Sequence, residues 1–166
     1  FYVPAEKRSR LAQLYQYHWG EDFCGLAIEP DPHLGMTDYR KKPAFFSGGA
    51  GLISTMQDYA RFANLLAGKG LHRESGVRLI GENTWRYLTT PQLSDAQKTG
   101  IDWELEDPLV CMTNVPAGEF GWDGWTGPYF CVSPQDGTVL LYLIQVCGGS
   151  TSDIVRKLRA ITFGCL

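Results

Sequence analysis

Gly121-Trp122-Asp123-Gly124-Trp125-Thr126-Gly127-Pro128-Tyr129-Phe130 runs on through Cys131-Val132-Ser133 into Pro134-Gln135-Asp136-Gly137 and then the apolar run from Thr138 to Val146. This pattern predicts a β-hairpin with its turn at residues 134–137, a first strand rich in glycine and tryptophan, and a second strand Val-Leu-Leu-Tyr-Leu-Ile. Glycine weakens a strand interior, so Gly121, Gly124 and Gly127 call for a physical reason. Two readings stand side by side. Either a ligand or a bulge brings something close to the backbone, which makes the stretch a wall of a binding site, or a twisted core strand needs glycine to let the tryptophans pack.

The second strand describes its surroundings. Val139, Leu140, Leu141, Tyr142, Leu143 and Ile144 are apolar on both alternating sets, and such a strand is covered on both faces. A helix predicted from Ser150 to Phe163 supplies one cover, with Ile154, Val155, Leu158 and Ile161 on one stripe and the Ser150 to Asp153 spacing as its cap.

The chain has 166 residues, the length of one domain or of a piece of a larger one. Its formal charge of −3 gives no overall basic footprint, which sets nucleic acid aside as a partner. No apolar run is long enough to span a bilayer, which sets a membrane aside as well. Five cysteines, Cys24, Cys111, Cys131, Cys147 and Cys165, are scattered without a Cys-x-x-Cys spacing, and His18, His33 and His72 lie far apart. That pattern calls for no metal, no cofactor and no disulfide framework, and unpaired thiols favour a reducing, cytoplasmic setting. Phe1-Tyr2-Val3-Pro4 has no feature of a targeting segment, and the chain reads either as one from which a preceding stretch has been removed or as the back half of a longer protein.

From the amino end, Pro4 followed by Ala5 to Tyr17 predicts a short helix, with Leu11, Leu14 and Tyr15 clustered. Phe23 to Ile28 reads as an edge strand and Glu29 to Phe46 as loop, broken by Pro30, Pro32 and Gly35. After Ser47-Gly48-Gly49-Ala50-Gly51-Leu52, the Ser54 to Gln57 spacing caps a helix that runs to about Ala67, with Tyr59, Phe62, Ala63 and Leu66 on one face and Gly68 and Gly70 ending it. The glycine loop lacks the Lys-Ser/Thr of a phosphate cradle. Val77 to Ile80 reads as extended, Glu82 to Leu88 as a helix, Gln92 to Thr99 as a polar loop, and Asp102 to Asn114 as holding a strand around Val110.

Three blocks together resemble the serine β-lactamase-like family of class C lactamases and penicillin-binding esterases. They are Phe45-Phe46-Ser47-Gly48-Gly49-Ala50-Gly51-Leu52-Ile53-Ser54-Thr55 with its helix, Leu79-Ile80 to Leu88, and Phe120-Gly121-Trp122-Asp123-Gly124 to Gln145. The resemblance implies an α+β fold, of which this chain is the carboxyl-terminal half: the last antiparallel strands, the closing helix and part of the helical region. It also implies acyl transfer through a serine nucleophile with an adjacent base and donors aimed at the oxyanion. The family's Ser-x-x-Lys and Tyr-x-Asn do not occur in this chain.

By the same resemblance, Trp122-Asp123-Gly124 stands at the third motif, on the strand bordering the site, where Trp122, Asp123 and Gly124 contact substrate. The following residue, Trp125, gives its backbone N–H to the oxyanion. Two rival triplets are weaker. Lys98-Thr99-Gly100 sits in a polar loop, and Trp125-Thr126-Gly127 is followed by Pro128, which has no N–H to give. Trp122 also replaces the cation that lactamases use for a substrate carboxylate, which favours an ester, amide or small acyl substrate over a penicillin.

Two functions follow. In the first, the chain is part of a serine acyl-hydrolase, inactive without the segment that carries the nucleophile, its partners being a small acyl substrate and the missing amino-terminal half. In the second, it is a non-catalytic binding or assembly module that self-associates through an open sheet edge.

Overall fold

Tyr15-Gln16-Tyr17-His18-Trp19 alternates aromatic with polar residues, the pattern of a pleated strand. The computed structural model, which describes residues 1–20, 24–29, 38–49, 51–90, 118–147 and 152–166, makes it one. Two compact units result, residues 1–59, 123–128 and 143–150 in the first and the remainder in the second.

In the first unit, β1 (Tyr15–Trp19) is the middle strand of a three-stranded sheet. It pairs antiparallel with β2 (Cys24–Ile28), from Tyr15 opposite Ile28 to Trp19 opposite Cys24, and parallel with β8 (Val146–Cys147). The helix expected over Ala5 to Tyr17 is therefore corrected. Only a 3₁₀ helix, Ala5–Arg10, forms before the chain extends. A short isolated helix is marginal in water, whereas β1 gains ladder bonds on both sides, including Tyr15 N–H to Gln145 O at 2.9 Å. The expected strand ending at Ile28 is present as the edge strand β2, with Leu26 and Ile28 exposed. Of the loop expected from Glu29 to Phe46, residues 38–46 have no regular structure and residues 30–37 lie outside the described residues.

The helix α1 (Met56–Ala67) forms where expected, but its cap is one residue later than read. Thr55 Oγ1 accepts the Asp58 N–H at 3.1 Å and donates to the Asp58 carboxylate at 3.0 Å, while Ser54 Oγ reaches only the Thr55 carbonyl. At the other end Lys69 and Gly70 both take positive φ, 54° and 82°, and Gly70 N–H returns to Leu65 O.

The core of the second unit is Ala63, Leu66, Ala67 and Val132, with Ile80, Trp85, Phe120, Phe130, Val139 and Leu141 packed on it. The expected face of α1 is thus shifted, since Phe62 is exposed and Ala67 is buried. A two-residue ribbon, β3 (Leu71–His72) with β4 (Val77–Arg78), leads to α2 (Glu82–Thr89). Trp85 on α2 donates its indole N–H to Leu66 O at 2.9 Å and meets Phe120 edge-on. The polar loop at 92–99, the strand around Val110 and the triplet at 98–100 lie outside the described residues.

The second sheet has the order β5 (Phe120–Asp123), β6 (Tyr129–Ser133), β7 (Thr138–Tyr142). Phe130 opposes Leu141 and Val132 opposes Val139, so one face of the sheet carries the residues that meet α1. Tyr129 and Cys131 alternate to the other face, where α3 (Ser152–Gly164) brings Arg159. Both faces are covered, as the doubly apolar strand required, in a mixed α+β arrangement. The buried positions of α3 are Val155, Arg159 and Phe163, one every four residues, whereas Ile154 and Ile161 of the expected stripe are exposed.

Candidate functional site

The stretch 121–130 is two strands and a turn, which corrects the single glycine-rich strand read from the sequence. The chain reverses over Gly124-Trp125-Thr126-Gly127, closed by Gly127 N–H to Gly124 O at 2.8 Å and Gly124 N–H to Pro128 O at 2.8 Å. Gly127 has φ +88°, which favours glycine. At Gly121 a Cβ would run into the Phe130 carbonyl and stand 2.9 Å from Cys131 Cα. Close strand approach and a tight turn thus account for these glycines. Periodicity hid the turn because the residues on either side of it continue one aromatic and glycine-rich pattern. The Gly-x-x-Gly spacing was the signal available.

Each candidate residue has a definite place. Trp122, on β5, is 72 % exposed, and Asp123, the strand's last residue, is exposed too. Gly124 is half-buried and spends its N–H on closing the hairpin. Trp125 follows it in the turn, 70 % exposed. Neither tryptophan is a core residue, so packing them is not what the glycines serve. The Trp125 N–H lies outside the strand ladder and has no hydrogen-bond partner among the described residues. The turn itself is anchored, because Val146 N–H donates to Thr126 O at 2.9 Å and Thr126 Oγ1 to Gln145 Oε1 at 3.4 Å. In the sequence Thr126 stands only in the rival triplet Trp125-Thr126-Gly127, and nothing there marks it as the anchor of a turn.

In the second unit a polar cluster lies on the α3 side of the sheet. The Arg159 guanidinium meets the Glu119 carboxylate at 3.0 Å with both side chains almost wholly buried. Burial, reinforced by a hydrogen bond to Glu119, pushes the Cys131 thiol up to about 12. Burial and the neighbouring Cys131 push the Tyr129 hydroxyl well above its ordinary range. A thiol held protonated in this way is no nucleophile at neutral pH. The sequence signal was Arg159 itself, a charge set between Val155 and Phe163 on an otherwise apolar face. Cys131, Cys147 and Cys165 are free thiols, the first two buried. Among the described residues no three His, Cys, Asp or Glu side chains gather as a metal site, and no helix is long and apolar enough to cross a membrane.

The Beta-lactamase family model matches residues 1–161. Two curated proteins of Mycobacterium tuberculosis are similar, Protein Rv1367c of strain H37Rv and Uncharacterized protein MT1414 of strain CDC 1551, each 30% identical over 171 residues. The alignment covers 92% of this chain and 40% of each relative, so the chain spans about two fifths of their length. A match over residues 1–161, on a mixed α+β chain, shows that the chain belongs to the Beta-lactamase family.

Proposed function

We propose that this chain supplies one wall of the site of a serine acyl-hydrolase, which cleaves an ester, amide or β-lactam through an acyl-serine. The observation that carries this reading is the Trp125 N–H, held out of the strand ladder in an anchored turn of a chain from this family. In acyl transfer, negative charge gathers on the carbonyl oxygen, and a fixed backbone donor outside the ladder stabilises it without reorganisation. The exposed Trp122 ring gives an apolar contact for substrate, with Asp123 and Gly124 beside it. With no cation at the Trp122 position, a neutral ester, amide or small acyl group fits better than an anionic penicillin.

Neither Ser-x-x-Lys nor Tyr-x-Asn occurs in the 166 residues, so the nucleophile and its base come from a further segment and the chain alone is inactive. The test gives p-nitrophenyl acetate and nitrocefin to this chain and to a longer protein that also carries the residues upstream of it. Ester turnover and an acyl-serine adduct are expected from the longer protein only. Turnover by the 166-residue chain, or none by either, contradicts the reading.

A second reading, an assembly module, is favoured by one observation, that among the described residues β2 stands at the sheet edge with Leu26 and Ile28 exposed. Concentration-dependent self-association in sizing chromatography, lost on placing lysine at both positions, separates it from the first.

A further inference from the structure

In the first unit, the amino-terminal segment and residues 38–46 are tied together. Val3 N–H donates to Tyr39 O at 2.6 Å, Arg8 Nη2 reaches Arg40 O at 2.6 Å, and the Phe1 and Phe46 rings meet edge-on with centroids 5.0 Å apart. Among the described residues of these two segments stand six exposed cations, Lys7, Arg8, Arg10, Arg40, Lys41 and Lys42, and two acidic groups, Glu6 and Asp38. Arg40 and Lys41 share the Asp38 carboxylate at 2.9 and 3.3 Å and hold its pKa far below the ordinary value. Lys7, Arg10 and Lys42 have no acidic partner among the described residues. A formal charge of −3 averaged over the whole chain conceals this basic surface.

The same segment carries Phe45 and Phe46, 78 % and 60 % exposed. The two adjacent phenylalanines set apolar rings beside the charges on the same segment. Cations beside exposed aromatic rings suit a bilayer surface, where the charges meet anionic headgroups and the rings enter the boundary with the acyl chains. A nucleic-acid strand would take the charges equally well, and single-stranded DNA is therefore the competing ligand in the test below.

We propose that this surface of the first unit seats the protein on an anionic lipid membrane, as a peripheral contact that needs no spanning helix. The inference is independent of the proposed hydrolase, since no residue of the 122–125 turn takes part.

The test sediments the full protein carrying this chain with vesicles of phosphatidylcholine alone or with about one third phosphatidylglycerol. Binding is expected to the anionic vesicles only and to weaken as salt screens the charges. Each cation near an anionic surface contributes roughly fivefold in binding, so Lys7→Glu with Lys42→Glu lowers it by more than about tenfold. Phe45→Ser lowers it several-fold without changing the charge, and turnover of a soluble ester stays unchanged in both variants. Equal binding to neutral vesicles, no binding to either, full binding by the charge-reversed protein, or loss of vesicle binding in favour of single-stranded DNA overturns the proposal.

Discussion

Arg159 on α3 and Glu119 at the foot of β5 form an ion pair at 3.0 Å with side chains 5% and 6% exposed. The pair fastens the closing helix to the strand that leads into the Trp122 hairpin. Removing one partner leaves the other charge buried and uncompensated, which costs about 3–5 kcal/mol. Arg159→Ala and Glu119→Ala should each lower the urea midpoint strongly. The double variant Glu119→Leu/Arg159→Met should recover most of the loss, because it leaves no orphaned charge.

Cys131 belongs to the same cluster and gives it a pH dependence. Its thiol pKa is raised from 9.0 to about 12 in the folded protein, so the folded state holds the proton more tightly than the unfolded state does. The stability this supplies is complete below pH 9 and falls as pH rises toward 12, with Tyr129 adding to the decline above pH 10. Urea midpoints taken from pH 8 to pH 11 should fall, and less steeply in Cys131→Ala. In the native protein at pH 8, a thiol reagent should modify the exposed Cys165 and spare Cys131.

The two hairpin glycines fail for different reasons when replaced. Gly127→Ala is strained by its φ of +88° and should cost about 1–2 kcal/mol. Gly121→Ala has no such strain but drives its Cβ into the Phe130 carbonyl, so β5 and β6 must part, at about 1–3 kcal/mol. Thermal unfolding of the two variants checks both values, and Gly121→Val should be the worst of the three.

The α1 cap separates two neighbouring hydroxyls. Thr55→Ala loses the bond to the Asp58 N–H and should cost about 1 kcal/mol, whereas Ser54→Ala should be close to neutral. Denaturant midpoints of the pair decide which residue is the cap.

The elements legible in the sequence were those whose apolar periodicity ran uninterrupted: α1, α2, the β2 edge, and the doubly apolar β7 with its helix behind it. β1 reads as helix because Leu11, Leu14 and Tyr15 fall at near-helical intervals, and of its two ladder partners, β2 follows within a few residues while β8 at Val146–Cys147 lies far along the chain. Ladder bonds to other strands decide such a segment, and local spacing does not record them. The turn at 124–127 was hidden by the continuity of aromatic and glycine residues, and the buried Arg159 by the assumption that a charge faces water. Motif order proposes candidate site residues, but the freedom of one amide depends on where the chain reverses, which local spacing does not record.

The most direct test of the central claim is the ester-hydrolysis rate of the full protein with Trp125 replaced in two ways. Proline is favoured at the second position of a β-turn, so Trp125→Pro removes the N–H with little cost to the turn. Trp125→Ala removes the ring and keeps the N–H. An oxyanion donor at this position predicts that kcat for p-nitrophenyl acetate falls by about 10²–10³ in Trp125→Pro and stays within about tenfold in Trp125→Ala. Unchanged turnover in Trp125→Pro, or equal losses in the two variants, would contradict the assignment of that amide to the reacting carbonyl.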